Sequence, residues 1–157
     1  MDILENAIKM EVDGENFYRE QALINKDNNL HPVFILLAKD EKKHANLIRE
    51  KMEGIDSPLN NGDVASIENV FTDLKEFNFE KINPDQVSVF RKALKMEQDS
   101  IDFYKNLFGE SNDDTEFFKF LFRQEEAHYK LFEEIIKFVN RPSEWVESAE
   151  FGVREEY

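Results

Sequence analysis

Cysteine is absent from the 157-residue sequence, which excludes disulfides, thiolate nucleophiles, Cys-ligated zinc and iron–sulfur clusters from it. Glycine and proline are scarce, at five and four residues, so few breakers interrupt the chain and long elements are expected. Positive charge is in short supply as well. Twenty Lys and Arg stand against thirty-four Asp and Glu, a net charge of −14. This argues against nucleic acid, whose binding rests on Lys and Arg neutralising phosphates, and against anionic membrane surfaces. No run approaches the roughly eighteen apolar residues of a membrane span; the longest extends from Val33 to Ala38. The start, Met1-Asp2-Ile3-Leu4-Glu5, shows neither the basic nor the apolar region of a secretory leader, and a cytoplasmic protein is expected. What remains, 41% apolar and 34% charged residues, suits one domain with a real core and a charge-rich surface.

The apolar residues recur at spacings of three and four, with little strict alternation, which is the period of helices. Four long helices follow. The first is expected from about Asp2 to Lys26, ended by Asp27-Asn28-Asn29. The second runs from His31, with Pro32 in its first turn, to about Glu53 before Gly54. The third starts near Asn83-Pro84 and ends at Phe108 before Gly109. The fourth runs from about Asp113 to Val139, stopped by Asn140-Arg141-Pro142. Short connections make antiparallel hairpins of helices one and two and of helices three and four. Between them, residues 54–82 form a linker with breakers at Pro58, Asn61 and Gly62 and a weakly helical stretch from Ser66 to Glu80. A helix of about 23 residues is ~35 Å long, and such a linker spans it. The fold class is therefore all-α: a four-helix bundle over residues 1–140 with one long crossover, followed by a 141–157 tail with a possible short helix carrying Trp145.

The two hairpins repeat each other. Ala7-Ile8-Lys9-Met10-Glu11-Val12-Asp13-Gly14-Glu15-Asn16-Phe17-Tyr18 aligns with the twelve residues from Ala93 to Tyr104, seven positions being identical. Leu37 to His44 aligns with Leu121 to His128. The offsets, 86 and 84 residues, nearly agree, so the copies should face each other about a pseudo-twofold axis. Two of the three histidines sit in Glu-x-x-His patterns, Glu41 with His44 and Glu125 with His128. At 100° per residue, Phe34, Leu37, Ala38, Ala45 and Ile48 flank Glu41 on one helix face. Phe118, Leu121, Phe122, Phe132 and Ile136 flank Glu125. Similar apolar stripes surround Glu97 (Phe90, Ala93, Leu94, Ile101, Tyr104) and Glu11 (Leu4, Ala7, Ile8, Tyr18). Four carboxylates are thus directed inward. An unpaired buried carboxylate costs several kcal/mol, and four would repel one another as well. These stripes contain no Lys or Arg. Two divalent cations balance four carboxylates and leave one imidazole for each, which is the donor set of di-iron and di-manganese carboxylate bundles.

Over about residues 1–140 the chain resembles the rubrerythrin-like branch of the ferritin-like superfamily. The likeness is carried by the four ligand positions, the Glu-x6-Tyr pattern in both odd helices and the long crossover. It implies a metal pair bridged by Glu41 and Glu125, with Glu11 and Glu97 terminal and His44 and His128 on one metal each. Tyr18, and Tyr104 as its counterpart, would hydrogen-bond metal carboxylates. Asp40 would accept from the far nitrogen of His128, and Gln124 would pair with His44. Ser100 stands where rubrerythrin proper has an extra carboxylate, Gln124 replaces an Asp, and the four cysteines of a rubredoxin-like domain are missing. Glu15 reads as a rim residue and His31 as a cap or loop residue.

An oxygen-rich, nitrogen-poor donor set suits iron, with manganese or a mixed iron–manganese pair as alternatives. The leading functional expectation is an oxidoreductase reducing hydrogen peroxide or dioxygen with electrons from a separate rubredoxin-like or flavin protein. An iron-handling role, as a storage or ferroxidase-like site, is the alternative, and a metal held for stability alone is a third. Fifteen Phe residues exceed what one small core readily hides and point to a homodimer.

Overall fold

The computed structural model describes residues 2–59, 69, 85–108 and 114–150, with side chains described to residue 139. It contains α1 (Ile3–Ile24), α2 (His31–Met52), α3 (Gln86–Phe108) and α4 (Thr115–Glu150), and no strand among the described residues. α1 packs along α2 and α3 along α4, the two expected hairpins. The Asn83-Pro84 start signal and nearly all of the crossover lie outside the described residues.

Local chemistry sets the helix ends. α1 stops where both the backbone N–H and the side-chain amide of Asn25 donate to the Gln21 carbonyl, at 3.0 and 2.8 Å. Asn28 Oδ1 then accepts from the Leu30 N–H at 2.8 Å, just ahead of α2 and its early Pro32. α2 ends in a Schellman motif: the Ile55 N–H reaches the Glu50 carbonyl at 2.9 Å and the Gly54 N–H reaches that of Lys51 at 3.1 Å. The turn requires Gly54 at φ +78°, a backbone region that a side chain disfavours. One expectation is corrected. α4 does not stop at Val139 but continues through Asn140-Arg141-Pro142 to Glu150. Proline removes a single donor from the ladder, and the backbone on both sides of Pro142 remains helical. The expected short tail helix is, as far as residue 150, the end of α4.

Two apolar clusters fill the bundle. One joins Tyr18 and Ala22 of α1, Val33, Phe34 and Leu37 of α2, Phe90 and Ala93 of α3, and Leu131, Phe132 and Ile135 of α4. The other joins Ala7, Ile48, Tyr104, Phe118 and Leu121. The first cluster takes the starts of α2 and α3 together with later parts of α1 and α4, so α2 and α3 run parallel, as a long crossover demands. Every described phenylalanine is buried or half-buried. Among the described residues the exposed large apolar side chains are instead Leu23, Ile24, Ile3, Met52, Ile55 and Leu59. No helix among the described residues is long and apolar enough to cross a membrane.

Candidate metal centre

Between the two apolar clusters lies a polar layer. Glu11, Glu41, His44, Glu97, Glu125 and His128 are each at most 2% exposed. Their positions near the middle of four inward stripes, one from each helix, bring them together. They form two groups of four, Glu11–Glu41–His44–Glu125 and Glu41–Glu97–Glu125–His128, and within each group one donor atom per residue lies within 4.8 Å of the others. Glu41 and Glu125 belong to both groups.

Both imidazoles turn Nδ1 toward the carboxylates. His44 Nδ1 is 3.1 Å from Glu11 Oε1 and 3.5 Å from Glu125 Oε1. His128 Nδ1 is 3.0 Å from Glu97 Oε2, 3.1 Å from Glu41 Oε1 and 3.3 Å from Glu125 Oε1. The two rings are nearly parallel, with centroids 5.9 Å apart. The tyrosines cross between hairpins: Tyr18 of α1 donates to Glu97 of α3 at 2.8 Å, and Tyr104 of α3 donates to Glu11 of α1 at 2.5 Å. The internal repeat therefore becomes a reciprocal pair of hydrogen bonds across the bundle.

The symmetry breaks one layer further out. His128 Nε2 lies 3.1 Å from Asp40 Oδ2, both groups buried. At the position equivalent to Asp40, both amide atoms of buried Gln124 lack a hydrogen-bond partner, and so does His44 Nε2. The expected Gln124–His44 pairing is not formed. A neutral amide has no charge to draw it against an imidazole, whereas Asp40 has. Glu15 accepts from Arg19 at 2.8 Å on the outside of α1, and His31 Nδ1 lies 2.8 Å from the Ala22 carbonyl; neither reaches the cluster.

Electrostatics shows what this layer lacks. Burial holds the Glu41 carboxyl well above its ordinary range, and the charges of Glu11, Glu125 and Glu97 add to the effect. Burial, then Glu11 and Glu97, push Glu125 up to about 7. Burial also acts on Glu11, but the His44 cation and the hydrogen bonds from His44 and Tyr104 outweigh it and lower its pKa. Burial disfavours charge on His44, yet Glu11 beside it raises the ring to about 9. His128 is raised well above its usual value against burial, by Glu97, Asp40 and the two shared glutamates. Burial and nearby carboxylates raise both tyrosines, which stay protonated donors. Protons on imidazoles and shared carboxyls thus supply the positive charge that four clustered carboxylates require. Even so, with His128 Nδ1 engaged by Glu97 Oε2 at 3.0 Å, Glu41 Oε1 and both oxygens of Glu125 are left without a directed hydrogen bond. Unsatisfied buried carboxylate oxygens facing two inward Nδ1 atoms are what a pair of divalent cations would satisfy, so the residues fit a dinuclear metal centre.

Gly14 carries no chemical signal in the sequence, and Ser100 stands out there only as the place where rubrerythrin proper has an extra carboxylate. The repeat adds one hint: they occupy equivalent positions in it, three residues after Glu11 and Glu97.

A bundle of two antiparallel hairpins around buried Glu and Glu-x-x-His groups defines a ferritin-like carboxylate protein. The family model for rubrerythrin matches residues 2–136, and the chain belongs to the rubrerythrin family, whose members generally bind di-iron. Comparison with curated proteins and with solved structures returns no significant match.

Proposed function

We propose that the protein is a di-iron oxidoreductase that reduces hydrogen peroxide or dioxygen with electrons from an external rubredoxin-like or flavin protein. The observation that supports it most is the pair of overlapping donor groups, each with three carboxylates and one imidazole and sharing Glu41 and Glu125. Such a set suits iron ahead of zinc, with manganese or a mixed pair as the alternatives. Iron bound there by Glu11, Glu41, His44, Glu97, Glu125 and His128 would supply one-electron chemistry toward an oxidant.

The chain's own residues prepare the site. Tyr18 and Tyr104, whose hydroxyls burial keeps protonated, hold the unshared carboxylates Glu97 and Glu11 by donating hydrogen bonds to them. Asp40 orients the His128 ring so that Nδ1 faces inward. The stacked rings of Tyr18, Phe34 and Phe132 on one side, and of Tyr104 and Phe118 on the other, exclude water and strengthen every charge interaction between them. The reading also includes a cytoplasmic setting and a homodimer.

The test separates enzyme from iron store. Iron-loaded protein is reduced, oxidised with hydrogen peroxide or with dioxygen, and examined for size by light scattering and for iron retained per chain. A small assembly that holds about two iron per chain and turns over with a donor is the expected result. A large shell retaining many more would transfer the assignment to iron storage.

A further inference from the structure

A cleft of about 280 Å³ opens between α1 and α3, and its floor is formed by Tyr18, Glu41 and Glu97. It leads from solvent to both donor groups, since Glu41 belongs to each. A second cleft, between α3 and α4 beside Ile101, Phe122 and Tyr129, touches none of the six cluster residues.

The internal repeat builds the walls of the first cleft. Met10 and Met96, equivalent in the repeat, flank it, and so do Gly14 and Ser100. Its lining includes Lys9, Asp13 and Asp99; Lys9 pairs with Asp13 at 3.0 Å, and Asp99 pairs at 2.5 Å with Lys95, which is not itself part of the lining. Each of these aspartates is thus paired with a lysine, which offsets its charge despite the acidity of the whole chain. Thioethers and the Lys9 stem give the walls an apolar character. Gly14 has a second consequence. A Cβ there would lie 2.6 Å from Glu41 Oε2, closer than packed atoms tolerate, so the missing side chain is what gives the shared carboxylate its room. Ser100 is buried, and its hydroxyl is turned onto its own helix, 3.2 Å from the Met96 carbonyl, so it does not cross the opening.

We propose that the α1–α3 cleft is the entrance by which a small exogenous ligand, neutral or singly charged and a few atoms long, reaches the metal pair, and that Gly14 and Ser100 set its bore. This rests on reading the cluster as a metal pair. The lack of a side chain at Gly14 and the short one at Ser100 keep the passage open, and with both aspartates ion-paired the rim excludes neither peroxide nor a small anion. Larger side chains at either position close it. At Gly14 they also displace Glu41.

The probe is azide binding to iron-loaded, oxidised protein, followed by stopped flow through its visible charge-transfer band, with iron counted for each variant. Ser100→Leu should retain the wild-type iron content and bind azide at least about ten-fold more slowly. Met96→Phe, on the wall, should slow it in the same sense and keeps the test decisive if Ser100→Leu fails to fold. Lys105→Trp, at the second cleft, should bind azide at the wild-type rate. Gly14→Ala should lose at least one iron per chain through its contact with Glu41. An unchanged azide rate in fully loaded Ser100→Leu or Met96→Phe overturns the entrance, as does equal slowing by Lys105→Trp. Wild-type metal affinity in Gly14→Ala overturns the role of Gly14. Failure of the wild-type protein to take up iron strikes at the metal reading itself, a distinguishable result.

Discussion

Residues shared between the two donor groups should behave differently from those that are not. Glu41 and Glu125 serve both groups and Glu97 serves one. Glu41→Ala should therefore lose both ions and Glu97→Gln only one, measured by elemental analysis after dialysis; equal stoichiometry in both variants would refute the arrangement. The broken symmetry at Asp40 and Gln124 carries a second expectation. Asp40 orients His128 and strengthens it as a donor, while His44 has no such partner. In calorimetric titration with Mn²⁺ the His128 group should fill first. Asp40→Asn should weaken that step by about 10- to 100-fold, as for other partners of metal-bound histidines. Two steps unaltered by the substitution would sink the idea.

At the scale of elements, α1 and α2 each end for a reason specific to the terminus. The stop of α2 depends on the positive φ of Gly54, and a Cβ there meets nothing within 4 Å. The cost of Gly54→Ala is thus backbone strain alone, about 1 kcal/mol, to be read as a lower urea midpoint. A wild-type midpoint would show that the turn relaxes to another form. The hairpin repeat, the helix periodicity and the stops of α1 and α2 were legible in the chain because capping and turn chemistry are local. The end of α4 was not. Asn140-Arg141-Pro142 has the composition of a terminator, but one missing donor does not end a helix whose neighbours stay in the ladder.

For the molecule as a whole, the buried cluster sets how stability responds to pH. Glu125 titrates near 7 in the folded, metal-free chain against 4.5 ordinarily. The fold then holds that proton more tightly than the unfolded chain, and stability falls as pH rises from about 4.5 through 7. His44 titrates near 9 against 6.5. Its contribution is complete below 6.5 and is lost as pH climbs toward 9. The lowered pKa of Glu11 acts oppositely and matters only in stronger acid, below 4.5. Metal-free protein should accordingly melt highest in mild acid and progressively lower toward pH 9. Added metal should restore the melting temperature at pH 7 and release on the order of three protons per chain as cations displace them. A flat melting profile without metal, or loading without proton release, would contradict this account.

The sequence by itself determined the all-α class, the pairing of helices into two similar halves and the six residues of the polar layer. Those follow from periodicity and from the energetic cost of placing carboxylates at the centre of apolar stripes, both properties of the chain read along itself. Distances across the bundle belong to the tertiary structure. Tyr18 serves Glu97 and Tyr104 serves Glu11, not the carboxylate of its own helix, because the hairpins pack face to face. Asp40 meets His128 while Gln124 misses His44. The room at Gly14 for Glu41, and the cleft above it, exist only where α1 and α3 lie side by side. Which side chains share a face can be read from a period; how closely two faces approach is decided only by packing them.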